Sequence, residues 1–229
     1  MIFDLIPLMF AFILSTANYI TEHIISEKLR KNKKLISFSA GVAVSYIILN
    51  LFPEISSYAS MDGKIVFLYV LLGFISLNLI EQYVYKRAEM TKIISAYHKS
   101  IHVTYFFIYN ILIGIVLAVF AYQGLKDALL FFIPFLLYII FKVLPQEFKF
   151  QNQASKIIYS MAPMFGVFVG ATYILFVKSI FGQILSLITG TLLYSVIRES
   201  LPSDKAEKPL YFLMGVSFYT VIILASWNL

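Results

Sequence analysis

Short polar connections cut the chain into eight apolar runs, at 3–23, 35–53, 64–85, 101–122, 126–148, 157–177, 180–201 and 209–227. Runs of about 18–25 residues are long enough to cross a bilayer as α-helices. In hydrocarbon the backbone must satisfy its own N–H and C=O groups, and a helix does so within one segment. The connections leave no room for a separate soluble domain, and they make neighbouring helices antiparallel. The chain is 60% hydrophobic and 13% charged, more apolar surface than a water-soluble core can hide. The expectation is an all-α membrane protein in one domain, residues 1–229, embedded in a lipid bilayer. Residues Met1 to Asp4 lack the basic start of a removable signal peptide, so the first run is expected to remain as a span.

The formal charge is +6, but the basic residues lie in loops between apolar runs. That distribution points to membrane orientation, not to nucleic acid. One set of loops carries Lys28, Arg30, Lys31, Lys33, Lys34, Lys86, Arg87, Lys92, Lys99, Lys149, Lys156, Arg198, Lys205 and Lys208, which is 14 of the 18 cations. The opposite set carries only Lys64, Lys126 and Lys178; the remaining cation is Lys142. The positive-inside rule makes the first set cytoplasmic and both termini non-cytoplasmic, in a plasma or inner membrane. The absence of cysteine excludes disulfides and thiolate metal sites.

The chain also resembles itself. Gly41 and Pro53 of the second run stand twelve residues apart, as do Gly190 and Pro202 of the seventh. Leu68-Tyr69-Val70-Leu71-Leu72-Gly73 in the third run matches Leu210-Tyr211-Phe212-Leu213-Met214-Gly215 in the eighth. Met9-Phe10 of the first run matches Met164-Phe165 of the sixth. Runs 1–3 (residues 1–85) thus correspond to runs 6–8 (157–229). Corresponding runs are an odd number of spans apart, so the copies are inverted, a construction common among secondary transporters. Runs 4 and 5 (101–148) lie between them.

The most expensive stretch to bury is Lys142 to Glu147, where a cation, Pro145, Gln146 and a carboxylate close the fifth run. A charge near mid-bilayer costs about 2.5–3.5 kcal/mol on insertion scales. Proline withholds a backbone donor from the preceding turn. Such a cluster is expected to face protein or a water-filled cavity; the bland alternative is that the helix ends here and Lys142 snorkels to the interface. On the fourth run Tyr105, Tyr109 and Asn110 place polar groups on neighbouring turns, where packing and interhelical hydrogen bonds are the ordinary roles.

With its 3+2+3 order, the chain resembles the ZIP family of divalent-metal transporters. The resemblance is carried by Gly41 to Glu54, ending Leu51-Phe52-Pro53-Glu54, and by Thr189 to Tyr194 running on to Leu201-Pro202. It implies eight spans, a metal path between spans 4 and 5, zinc as a transported ion, and pairing as a homodimer. In that family span 4 carries His-Asn-x-Pro-Glu-Gly and span 5 carries His-Glu-x-Pro-His-Glu. Here the first motif falls on Tyr105 to Asn110 and the second on Lys142 to Glu147. Only Pro145 and Glu147 keep the pattern, so the family's binuclear site is degenerate. The resemblance assigns Tyr105, Tyr109, Asn110, Lys142, Gln146 and Glu147 to the transport site, with Lys142 in place of the metal's charge.

His98 and His102 are four apart, a spacing that lets two imidazoles share a metal on a helix. With no carboxylate or thiolate beside them they are a weak site, and interface histidines are the ordinary reading. Arg198, Glu199 and Glu54 neighbour helix-end prolines and read as solvated charges. Asn18, Asn50, Asn78, Glu81 and Gln183 read as interhelical hydrogen bonds or helix ends. No His-Glu-x-x-His, Gly-x-Ser-x-Gly or phosphate loop is present, so no enzymatic chemistry and no resident cofactor are expected.

Overall fold

A computed structural model describes residues 5–23, 32–87, 92–141, 153–200 and 209–227, with backbone alone at 61–62, 81, 83–87, 92–102 and 199–200. The elements are α1 (Leu5–His23), α2 (Lys33–Tyr46), a π-helical turn (Ile47–Leu51), α3 (Phe52–Asp62), α4 (Ile65–Arg87), α5 (Lys92–Gln123), α6 (Leu125–Phe141), α7 (Gln153–Ser160), α8 (Ala162–Thr172), α9 (Ile174–Ser179), α10 (Phe181–Ser200) and α11 (Pro209–Trp227). Among the described residues there is no strand. Each of the eight apolar runs contains helix. Five segments are long and apolar enough to cross a membrane: Lys33–Ser60, Val103–Gln123, Gln153–Thr172, Phe181–Arg198 and Pro209–Trp227. Leu5–Thr21 and Ile65–Ile80 are shorter apolar helices.

Two runs differ from the expected boundaries. The second does not stop at Pro53 but continues as α3 to Asp62. Pro53 falls in the first turn of α3, where a missing N–H costs least, and the π turn just before it absorbs the irregularity. The sixth run is divided into α7, α8 and α9 by breaks at Met161 and Tyr173. Pro163 stands at the start of α8, which explains the first break.

Three helix pairs dominate the packing: α2 with α11, α4 with α10, and α5 with α8. Each crosses at two glycines that face one another. A Cβ on Gly41 would strike the Phe212 carbonyl, and one on Gly215 would strike Phe38. Gly73 stands in the same way against Leu187, and Gly190 against Val70. Gly114 meets Pro163 and Gly166 meets Ile111. Lipid exerts little hydrophobic drive between helices, so close backbone approach at small residues supplies the dispersion that holds them together.

The centre is aromatic. Phe131 stacks on Phe135 with centroids 4.3 Å apart and lies 5.3 Å from Phe120, which meets Phe181 edge-on at 5.5 Å. Tyr46 of α2 and Ile47 and Leu51 of the π turn close this core and are 0% exposed. The outer faces are apolar too: Leu68 and Leu72 of α4, Leu175 and Phe176 of α9, and Leu210 and Val221 of α11 are all exposed. An apolar rim of this extent suits lipid and not water.

Candidate functional site

The candidate residues of the fourth run lie on α5, and they face inward. Tyr105 and Tyr109 are one turn apart and share a helix face. Tyr109 is 3% exposed and Asn110 1%; Tyr105 is half-buried. The Tyr105 hydroxyl lies 3.1 Å from Ser76 Oγ on α4 and 3.0 Å from Thr191 Oγ1 on α10. Thr191 Oγ1 in turn lies 3.2 Å from the Gly73 carbonyl and 3.1 Å from that of Leu187. Tyr105 is therefore a three-helix tie, built directly on the crossing of Gly73 with Gly190.

Asn110 joins α5 to α1. Asn18 Nδ2 donates to Asn110 Oδ1 at 3.0 Å, and Asn110 Nδ2 donates to the Phe106 carbonyl at 2.8 Å. This is the interhelical role that asparagine ordinarily takes in apolar surroundings. Asn78 differs: its Oδ1 accepts from Gln82 Nε2 on the same helix at 2.7 Å.

Four hydroxyl residues, Ser76, Thr191, Tyr138 and Ser195, complete the cluster without having been singled out as site residues in the sequence. Tyr138 of α6 donates to Ser195 Oγ of α10 at 2.9 Å, in a buried setting. Ser195 is one turn beyond Thr191, so α10 presents two hydroxyls on one face. Spacing of i, i+4 is the only signal that pairs them. The Tyr109 hydroxyl is buried and has no hydrogen-bond partner among the described residues.

Lys142, Gln146 and Glu147 lie outside the described residues. His98 and His102 fall inside α5, which begins at Lys92, one turn apart and described by backbone alone. Glu199 of α10 and Glu81 of α4 are likewise described by backbone alone.

No protein-family model, curated protein or solved structure matches this chain.

The described cluster is thus made of phenols, aliphatic hydroxyls and amides from α1, α4, α5, α6 and α10. Such groups order helices and donate or accept single hydrogen bonds. Among the described residues no three His, Cys, Asp or Glu side chains come together, so the described part holds no donor set suited to zinc. Below the cluster, the Phe120–Phe131–Phe135 group fills the space between α5 and α6.

Proposed function

We propose that the protein is a ZIP-like membrane transporter, by resemblance for divalent metal ions such as zinc, with a degenerate metal site on the fourth and fifth spans. In this reading eight helices cross the membrane and both termini are non-cytoplasmic. Inverted repeats 1–85 and 157–229 grip the central pair, and two copies associate as a homodimer.

One observation carries the reading. Internal comparison equates Gly41 with Gly190 and Gly73 with Gly215. In space, Gly41 crosses at Gly215 and Gly73 crosses at Gly190. A two-fold axis in the membrane plane that exchanges the repeats would turn the first crossing into the second. An accidental likeness between apolar helices gives no reason for both crossings. The filled aromatic seam between α5 and α6 suits a carrier that opens to one side at a time better than an open pore.

The same seam favours a second reading, a transport-inactive scaffold of the same architecture, in which Tyr105 and Tyr138 tie the central helices in place. A third cargo class, anionic or proton-coupled, would act through Lys142.

Zinc uptake into proteoliposomes separates them. The carrier reading expects uptake above empty vesicles that Glu147→Ala abolishes and Lys142→Ala alters. Uptake at the level of empty vesicles, from correctly folded protein, leaves the scaffold. Charge reversal at Lys142 that switches uptake from cation to anion supports the third.

A further inference from the structure

The start of α2 and the start of α11 meet in an arrangement that does not depend on the carrier reading. Lys33 and Lys34 open α2, and both are exposed. No acidic residue stands in that first turn to answer them. The Lys34 ammonium lies over the Tyr211 ring of α11, 5.3 Å from its centroid, within the ~6 Å reach of a cation–π contact. One turn further along α2, Phe38 meets Phe218 of α11 at 5.8 Å. The close approach of the two backbones at Gly41 and Gly215 makes both contacts possible. In sequence the two lysines close a run of five cations that begins at Lys28, and clusters of this size beside a membrane helix attract anionic lipid.

Basic loops also have an ordinary explanation, since they set orientation and their lysines reach out to water. Lys34 is instead held against α11, and an apolar track runs beneath it. Met214, Phe218 and Val221 follow Tyr211 on one face of α11, and all three are exposed. From Tyr211 to Val221 is ten residues, about 15 Å, half of a hydrocarbon core ~30 Å thick. A cation above one leaflet's depth of apolar surface matches the two parts of a single phospholipid, its headgroup phosphate and an acyl chain. A second copy of this chain is a poorer occupant. Related by an axis along the membrane normal, it would set its own Lys33 and Lys34 at the same depth, like charge facing like.

We propose that Lys33, Lys34 and Tyr211 bind the headgroup of an anionic glycerophospholipid, with an acyl chain laid along Met214, Phe218 and Val221. The lysines supply the charge. The Tyr211 ring positions the Lys34 ammonium above the track. The choline of a zwitterionic lipid would meet the same lysines with like charge, so the site selects phosphatidylglycerol over phosphatidylcholine.

Native mass spectrometry of the purified full chain tests this, with dioleoyl phosphatidylglycerol and dioleoyl phosphatidylcholine titrated separately in detergent. The first phosphatidylglycerol adduct should form about tenfold more tightly than the first phosphatidylcholine adduct. Lys34→Gln should reduce that preference about fivefold. Lys34→Arg should keep it, since a guanidinium also stacks on an aromatic face. Lys64→Gln removes the same charge from the opposite set of loops and should leave the preference unchanged. Tyr211→Leu alters no charge and should still weaken the preference, whereas Tyr211→Phe keeps the ring and should retain it. A diffuse attraction to basic loops would follow charge alone. Equal affinity of the wild type for the two lipids overturns the proposal. So do equal losses from Lys34→Gln and Lys64→Gln, displacement of the lipid by an equal concentration of inorganic phosphate, or a wild-type dimer that retains no lipid.

Discussion

The Tyr219 hydroxyl donates to the Leu130 carbonyl oxygen at 2.6 Å, and Leu130 is the residue four before Pro134. Proline has no N–H, so Pro134 cannot serve that carbonyl as an α-helix requires. In apolar surroundings an unmet carbonyl is expensive, and a neighbouring helix commonly supplies the missing donor. Here α11 supplies it to α6. Tyr219→Phe should therefore lower stability by about 1–3 kcal/mol, read as the denaturation midpoint in mixed micelles. Pro134→Ala restores an N–H, so it should recover more stability in the Tyr219→Phe background than in the wild type. Equal effects in both backgrounds would separate the two residues.

The glycine crossings make a graded prediction. At Gly41, Gly73, Gly190 and Gly215 an added methyl meets the backbone of the opposing helix, which cannot yield as a side-chain tip can. Alanine at any one of them should cost at least the ~1–3 kcal/mol typical of overpacking. Gly124 is the internal control. Its nearest neighbour to an added Cβ is Asp127 Oδ2 at 3.8 Å, ordinary contact, so Gly124→Ala should stay within about 0.5 kcal/mol. Thermal unfolding of the five variants in one detergent decides the order.

Asn18 and Asn110 form a buried pair, and the pair should be worth more than either partner alone. Asn110→Leu strands the Asn18 amide between α1 and α5 and should cost about 1–2 kcal/mol. The double variant Asn18→Leu with Asn110→Leu removes both partners and should cost less than the sum of the singles. A coupling of about 0.6–1.7 kcal/mol is the range measured for such pairs in membrane helices. Strict additivity in the double-mutant cycle would contradict the observed bond.

Much of the helical layout was legible in the sequence, because length and apolarity alone force a backbone in lipid to satisfy itself. The register of the packing was not. Internal comparison equates Gly41 with Gly190, but only the folded chain brings Gly41 to Gly215. Pro53 reads as a terminator by its missing N–H, yet it opens α3, where that N–H is not needed. Tyr105, Tyr109 and Asn110 read, in their ordinary roles, as packing and interhelical hydrogen-bond residues, and Tyr105 and Asn110 do bond across helices. Their partners Ser76 and Thr191 lie 29 and 86 residues from Tyr105, and single hydroxyls in apolar helices leave no periodic trace.

The orientation drawn from the loop cations yields a direct test, and the chain is suited to it because it contains no cysteine. Single cysteines introduced in the turns can be reached by a membrane-impermeant maleimide only from the side they face. Lys64 precedes α4, and Gly124 joins α5 to α6, the connections poor in cations. Lys33 and Lys156 lie at the starts of α2 and α7, the connections rich in them. The positive-inside rule predicts a cytoplasmic place for the second pair. Lys64→Cys and Gly124→Cys should therefore label in intact cells, and Lys33→Cys and Lys156→Cys only after permeabilisation. The mirror pattern would invert the molecule in its membrane. Labelling of all four from outside would contradict the proposed odd number of spans between Gly124 and Lys156, and with it the antiparallel order that the proposed inverted repeat requires.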